Sequence, residues 1–203
     1  MQPEELPAEI QKKRFDVLTS TANPHPPRGI MCVKLRRPDL RKEQYIAPRH
    51  HRSVSETSPA LLEIFKGLVS GKVKWPLFLY GKVGRGKTSS SLVLCDVADS
   101  AGYYTVSGLM DLTMQDPEEA FRQWEFIRRA EVAVLDELGD RDKIGDLEYS
   151  TVKRFADHRE GMPAVYISNA PPETLHKIYD DRISSRLLCG TWFELTGEDR
   201  RMA

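Results

Sequence analysis

A glycine-rich segment that ends in lysine and threonine points most directly to chemistry. Residues 81–88 read GKVGRGKT and fit the pattern GxxxxGK(S/T). Glycines let a loop curl until its N–H groups face phosphate oxygens, Lys87 would reach the β- and γ-phosphates, and the Thr88 hydroxyl would ligate Mg²⁺. The pattern therefore predicts a site for ATP and Mg²⁺, although a glycine-rich turn that only caps a helix is the alternative. The predicted nucleotide contacts are Gly81, Lys82, Val83, Gly84, Arg85, Gly86, Lys87, Thr88 and Ser89.

Two adjacent carboxylates follow an apolar run about 50 residues later. Residues 132–137 read VAVLDE, which is typical of a Walker B strand in nucleotide-binding proteins. In a parallel sheet the carboxyl end of such a strand faces the ligand, so Asp136 would hold the Mg²⁺ water shell and Glu137 would orient and deprotonate the attacking water. The alternative is a strand that runs into a solvated, charged turn.

A third polar strand end and two arginines complete the candidate residues. Residues 164–169 read AVYISN, and the Asn169 amide could hydrogen-bond both the γ-phosphate and the attacking water; a turn-forming asparagine before prolines is the alternative. Arg182 and Arg186 lie four residues apart, so they share one face of a short predicted helix. Their alternative role is a solvated or ion-paired helix face.

Alternating strand and helix patterns must position these residues. Short apolar strands separated by helices predict an α/β fold with a parallel sheet covered on both faces, as in a P-loop NTPase. The predicted strands are 76–80, 103–107, 131–135, 164–168 and 191–195. The predicted helices are 58–71, 88–101, 116–129, 147–159, 172–178 and 182–188.

The first 57 residues differ from the rest of the chain. Eight of the 13 prolines fall within residues 1–59, and the apolar residues show no sustained period apart from a predicted helix over 7–18. We therefore expect an N-terminal partner-binding appendage or linker at 1–57 and a core at 58–203 that holds every strand of the sheet. Residues 28–52 carry eight lysines and arginines against two acids, which would suit either contact with DNA phosphates or a solvated linker.

Composition excludes several protein classes. The 203 residues are 40% hydrophobic and 30% charged, and no apolar run approaches the roughly 18–20 residues of a membrane span. The N-terminus lacks the apolar core of a secretory signal, so we expect a cytoplasmic protein with no membrane partner. The three cysteines are too far apart in sequence for a zinc knuckle.

Taken together, these motifs resemble the DnaC/DnaI/IstB group of AAA+ ATPases over about residues 60–200. The resemblance rests on the phosphate loop, LDELG at 135–139, the segment from His158-Arg159 to Asn169, and DRISSRL at 181–187. It implies an AAA+ core in which the strand before Asn169 lies between the phosphate-loop strand and the Walker B strand. It also implies that no full helical lid domain follows, in agreement with the 34 residues that remain after Asn169.

The resemblance also implies residue roles. Asn169 takes the place of the sensor-1 residue, and Arg186 takes that of the arginine finger, which reaches the ATP of a neighbouring subunit, with Arg182 as the second choice. Arg200 occupies the place where the group often has a sensor-2 arginine, although Asp199 replaces the aromatic residue that precedes it.

The resemblance implies an ATP-dependent loader of a DnaB-type replicative helicase. Its partners would be that helicase, single-stranded DNA and further copies of itself in an ATP-dependent oligomer, in a bacterial cell or a phage-infected bacterium. Two alternatives stay open: an IstB-like transposition helper with the same ATPase core, and a small-molecule P-loop kinase.

Overall fold

A sheet of seven strands carries the polar strand ends to one edge of the molecule. The computed structural model describes residues 34–35, 44–45, 57–98, 100–139 and 144–199. The strands are β1 Lys34–Leu35, β2 Gln44–Tyr45, β3 Leu77–Tyr80, β4 Ala101–Thr105, β5 Val132–Leu138, β6 Ala164–Ser168 and β7 Thr191–Glu194. The helices are α1 Pro59–Val69, α2 Lys87–Val97, α3 Val106–Gln115, α4 Pro117–Arg129, α5 Asp146–His158, α6 Pro172–Ile178 and α7 Asp181–Leu188.

The strand order is β2-β1-β4-β5-β6-β3-β7. Neighbouring strands are parallel except for the antiparallel pair β1–β2. The strand β6, which precedes Asn169, lies between the phosphate-loop strand β3 and the acidic strand β5. The predicted α/β fold and the predicted place of β6 are therefore confirmed.

Helices cover both faces of the sheet because side chains alternate along each strand. Tyr103 and Val134 belong to a core cluster shared with α1 and α2. Tyr104 and Leu135, each one residue further along, belong to the opposite cluster, which includes residues of α3, α4, α5, α6 and α7. This alternation produces the three layers that the sequence predicts. Among the described residues, no helix is long and apolar enough to cross a membrane.

The region after β4 differs from the prediction. The predicted strand is present, but its bounds of 103–107 are wrong, because β4 spans Ala101–Thr105 and α3, which was not predicted, begins at Val106. The Thr105 hydroxyl caps α3 by accepting a hydrogen bond from the Gly108 N–H at 3.0 Å. Gly108 in the first turn weakened the helical pattern, although Leu109 is buried on the inner face of α3.

The N-terminal region contributes to the sheet edge. The expectation that every strand lies beyond Ser58 is wrong, since β1 pairs with β4 and β2 pairs with β1. The division at residue 57 remains a prediction. The predicted helix over 7–18 and most of the cationic stretch 28–52 lie outside the described residues, as does Arg200.

Candidate nucleotide-binding site

The glycines of the phosphate loop provide backbone conformations that other residues rarely adopt. The loop connects β3 to α2, and its glycines Gly81, Gly84 and Gly86 have φ angles of 139°, 78° and 85°. A Cβ at Gly81 would clash with the Leu195 carbonyl oxygen. A Cβ at Gly84 would clash with the carboxylate of Asp199, so the segment after β7 packs directly against the loop.

Lys87 joins the loop to the end of β6. Its ammonium donates hydrogen bonds to the carbonyls of Gly81 at 2.7 Å and Lys82 at 3.0 Å, and to Asn169 Oδ1 at 2.8 Å. The side chain is only 7% exposed. A buried cation held at the first turn of α2 suits the binding of a phosphate anion.

Thr88 and Asp136 form the candidate Mg²⁺ site. The Thr88 hydroxyl donates to Asp136 Oδ2 at 2.7 Å, and the Glu137 N–H donates to Oδ1 at 2.7 Å. Burial raises the pKa of Asp136, which is 6% exposed, while these hydrogen bonds and one from Tyr103 lower it. A hydroxyl and a carboxylate are the hard oxygen donors that Mg²⁺ prefers, so these residues fit the ion.

Glu137 is adjacent to Asp136 but differently placed. Its backbone has a φ of 66°, and its side chain is exposed. The β5–β6 pairing shifts register between Leu135 and Leu138, a local irregularity that re-aims side chains. The Ser107 hydroxyl donates to Glu137 Oε2 at 3.2 Å. The two acids therefore have separate surroundings, as separate chemical roles would require.

Asn169 lies exposed directly after β6. The turn that carries it is held by Ser168, whose hydroxyl donates to the Leu138 carbonyl at 2.7 Å and accepts from the Ala170 N–H at 3.0 Å. Through Lys87, the Asn169 amide is brought to the phosphate loop. The structure thus brings together five predicted residues, which are Lys87, Thr88, Asp136, Glu137 and Asn169.

Arg186 lies away from this cluster. On α7 it forms ion pairs with Asp157 at 3.1 Å and Glu160 at 3.6 Å. Asp157 lies in the last turn of α5 and Glu160 lies just after this helix, in the segment that leads into the start of β6, whereas Asn169 follows the end of β6. Arg186 is therefore near the sheet edge opposite the phosphate loop. Arg182, one turn earlier in α7, is exposed.

Sequence reasoning missed two hydroxyl groups at the site. Tyr103 donates to Asp136 Oδ2 at 2.5 Å, and Ser107 bonds Glu137. Tyr103 lies in β4, which pairs with β5, and Ser107 lies in the first turn of α3, directly after β4. The sequence does show a tyrosine in an apolar strand. Which residue its hydroxyl contacts depends on which strand is paired with β4, and the sequence pattern does not specify that strand.

Solved structures with the same fold include proteins of DNA replication. A crystal structure of DnaI aligns with a TM-score of 0.63 and 20% identity, over 77% of this chain and 95% of that chain. The DnaC helicase loader aligns with a TM-score of 0.59 and 14% identity, over 74% of this chain and 100% of that chain. The replication initiator DnaA bound to AMPPCP and single-stranded DNA aligns with a TM-score of 0.57 and 15% identity, over 76% of this chain and 52% of that chain.

These alignments confirm, at the level of fold, the resemblance to the DnaC/DnaI group of AAA+ ATPases. At identities of 20% or less the likeness concerns the fold alone. No protein-family model matches the chain, and a search of curated proteins finds no match.

Proposed function

We propose that this AAA+ protein binds ATP with Mg²⁺, hydrolyses it, and uses the reaction to load a DnaB-type replicative helicase onto single-stranded DNA. The observation that carries ATP binding and hydrolysis is the meeting of Lys87, Thr88, Asp136, Glu137 and Asn169 at one sheet edge. A phosphate loop alone would support only nucleotide binding.

Each residue has a role that its surroundings support. The loop N–H groups and Lys87 bind the phosphates, while Thr88 and Asp136 hold Mg²⁺, which when bound neutralises charge on the phosphates. Glu137 orients water and accepts its proton as the water oxygen bonds to the γ-phosphorus and the bond to ADP breaks. Asn169, already bonded to Lys87, hydrogen-bonds the γ-phosphate and the water.

Helicase loading is supported by the neighbours in fold. The DnaC helicase loader and DnaI share this architecture over about three quarters of the chain. A DnaA structure with the same fold contains both AMPPCP and single-stranded DNA. We assign helicase binding to the N-terminal appendage, single-stranded DNA binding to the assembled protein, and completion of each active site to Arg186 of a neighbouring copy.

The test measures ATP hydrolysis with and without single-stranded DNA and a DnaB-type helicase. We expect hydrolysis to respond to both additions and the helicase to become loaded on circular single strands, which pull-down of the DNA would detect. A response to duplex DNA and a transposase, with none to a helicase, would contradict loading and favour a transposition helper. Phosphate transfer to a small molecule would favour a kinase.

Lys87→Ala tests the phosphate-loop assignment itself. Because Lys87 is the buried cation of the loop, its removal should abolish measurable ATP binding in a protein that still melts cooperatively. Lys72→Ala is the matched control, since Lys72 is exposed just after α1 and should bind ATP normally. Full ATP affinity in folded Lys87→Ala protein would refute the site.

A further inference from the structure

Two hydroxyl groups converge on one oxygen of the Asp136 carboxylate. Tyr103 donates to Oδ2 at 2.5 Å, and Thr88 donates to the same oxygen at 2.7 Å. The other oxygen, Oδ1, accepts from the Glu137 N–H at 2.7 Å. The carboxylate is therefore held by donors at both oxygens, and two of these donors, Thr88 in α2 and Tyr103 in β4, lie far from Asp136 in the chain.

The Tyr103 ring is well suited to hold a fixed position. It is 7% exposed and packs in the core cluster shared by α1, α2 and the strands. In the β4–β5 register Tyr103 is opposite Val134. Val134 and Asp136 are two residues apart in β5, so their side chains lie on the same face of the sheet. A buried ring with only two rotatable bonds places its hydroxyl with little loss of freedom.

The hydrogen-bond directions have a consequence for the cation. Because Thr88 donates its only proton to Asp136, the lone pairs of its oxygen are left to ligate a metal ion. Asp136 must keep its orientation for this arrangement to hold. The Tyr103 hydroxyl provides that support from β4, a strand separate from the phosphate loop and from the β5 strand of Asp136.

We propose that Tyr103 is a positioning residue for the Mg²⁺ site, whose hydroxyl fixes the orientation of the Asp136 carboxylate beside Thr88. The proposal rests on the proposed role of Asp136 and Thr88 as Mg²⁺ ligands. Tyr103 does not touch the reacting atoms, and its effect is expected in metal-dependent nucleotide binding rather than in binding without metal.

The test compares Tyr103→Phe with the wild type in equilibrium binding of a fluorescent ATP analogue across a Mg²⁺ titration. Loss of one orienting hydrogen bond should raise the Mg²⁺ concentration for half-maximal binding by about three- to tenfold. Affinity measured in EDTA should stay at the wild-type value.

Tyr104→Phe is the matched control. Tyr104 is the next residue of β4, is also buried, and donates to Gln123 Oε1 at 3.0 Å on the opposite face of the sheet. This variant also loses a buried tyrosine hydroxyl, but Asp136 is untouched. Its Mg²⁺ dependence should be unchanged even if its melting temperature falls as much as that of Tyr103→Phe.

The outcomes distinguish a failure of the proposed role of Tyr103 from a failure of the proposed Mg²⁺ site. A normal Mg²⁺ dependence in Tyr103→Phe, together with a shifted one in Asp136→Asn, would overturn the role of Tyr103 and leave the metal site intact. A normal Mg²⁺ dependence in Asp136→Asn would overturn the metal site itself. Equal weakening in Mg²⁺ and in EDTA would mean that Tyr103 is only structural, which also overturns the proposal.

A second variant keeps the test decisive if Tyr103→Phe does not fold. Placing 4-aminophenylalanine at position 103 retains the ring and restores an N–H donor at the para position. We expect Mg²⁺ to increase the affinity of this variant for the ATP analogue by at least half as much as it does in the wild type. A folded variant with this donor and no recovery would contradict the proposal.

Discussion

Asp136 and Glu137 are consecutive carboxylates with opposite environments. Asp136 is buried and bonded to Thr88, whereas Glu137 is exposed, has a left-handed backbone and meets Ser107. A left-handed backbone at a non-glycine residue stores strain that a functional site can use to aim a side chain. The structural difference supports one role in metal binding and one in proton transfer.

Separate substitutions should therefore give separate defects. Glu137→Gln keeps the shape and removes the base, so it should bind ATP with Mg²⁺ normally and hydrolyse it about 10²- to 10⁴-fold more slowly. Asp136→Asn should in addition require more Mg²⁺ for binding. Measurements of ADP release and of nucleotide affinity across a Mg²⁺ series check both, and identical defects in the two variants would undo the division of roles.

At the scale of elements, the Arg159 side chain joins the end of α4 to the segments that precede β5 and β6. Its guanidinium, 2% exposed, donates to the carbonyls of Ile127 and Ala130 at the end of α4. It also donates to the carbonyls of Glu131 and Pro163, just before β5 and β6. Burial lowers the pKa of Arg159 to about 10, so it stays charged at neutral pH.

Loss of this side chain should destabilise the whole core. Arg159→Met would leave several buried carbonyls without their donor, which should lower the free energy of unfolding by about 3 kcal/mol or more. Urea denaturation followed by circular dichroism measures the change. Arg122→Met is the control, because Arg122 pairs with Glu119 on the exposed face of α4. Equal midpoints for the two variants would contradict the structural role of Arg159.

At the scale of the whole molecule, Arg186 has the ion pairs expected of the alternative role, a paired helix face, and its role as an arginine finger in trans stays a prediction. Its ion pairs with Asp157 and Glu160 lie at the sheet edge opposite the phosphate loop, so it does not complete the site of its own chain. An arginine supplied by a neighbouring subunit can contribute about 10³- to 10⁵-fold in rate in related phosphoryl-transfer systems.

Mixing inactive subunits tests this assembly. Arg186→Ala should bind ATP but lose hydrolysis, and mixing it with Lys87→Ala should restore part of the activity because one interface then pairs an intact loop with an intact arginine. Asp157→Asn is the control, since it removes the ion-pair partner while keeping the arginine, and it should still hydrolyse ATP. If mixed oligomers form without recovered activity, Arg186 is not the finger and Arg182 is tested next.

Local sequence determined the parts of the site that lie within one strand–loop–helix unit. The glycines before Lys87 permit the positive φ angles of the loop, and the apolar runs before Asp136 and Asn169 form buried strands. Parallel strands place their carboxyl ends at one edge, so the meeting of these three residues followed from the predicted fold. These interactions depend on chain order and periodicity, which a sequence carries directly.

Only the tertiary structure determined what lies beside each of these residues. Tyr103 supports Asp136 because β4 pairs with β5 in one register, and a shift by one residue would turn its hydroxyl to the opposite face. Arg186 pairs with Asp157 of α5 because α7 packs against that helix. Strand register and helix packing are set by side chains far apart in the chain, so the pattern of any single segment does not contain them.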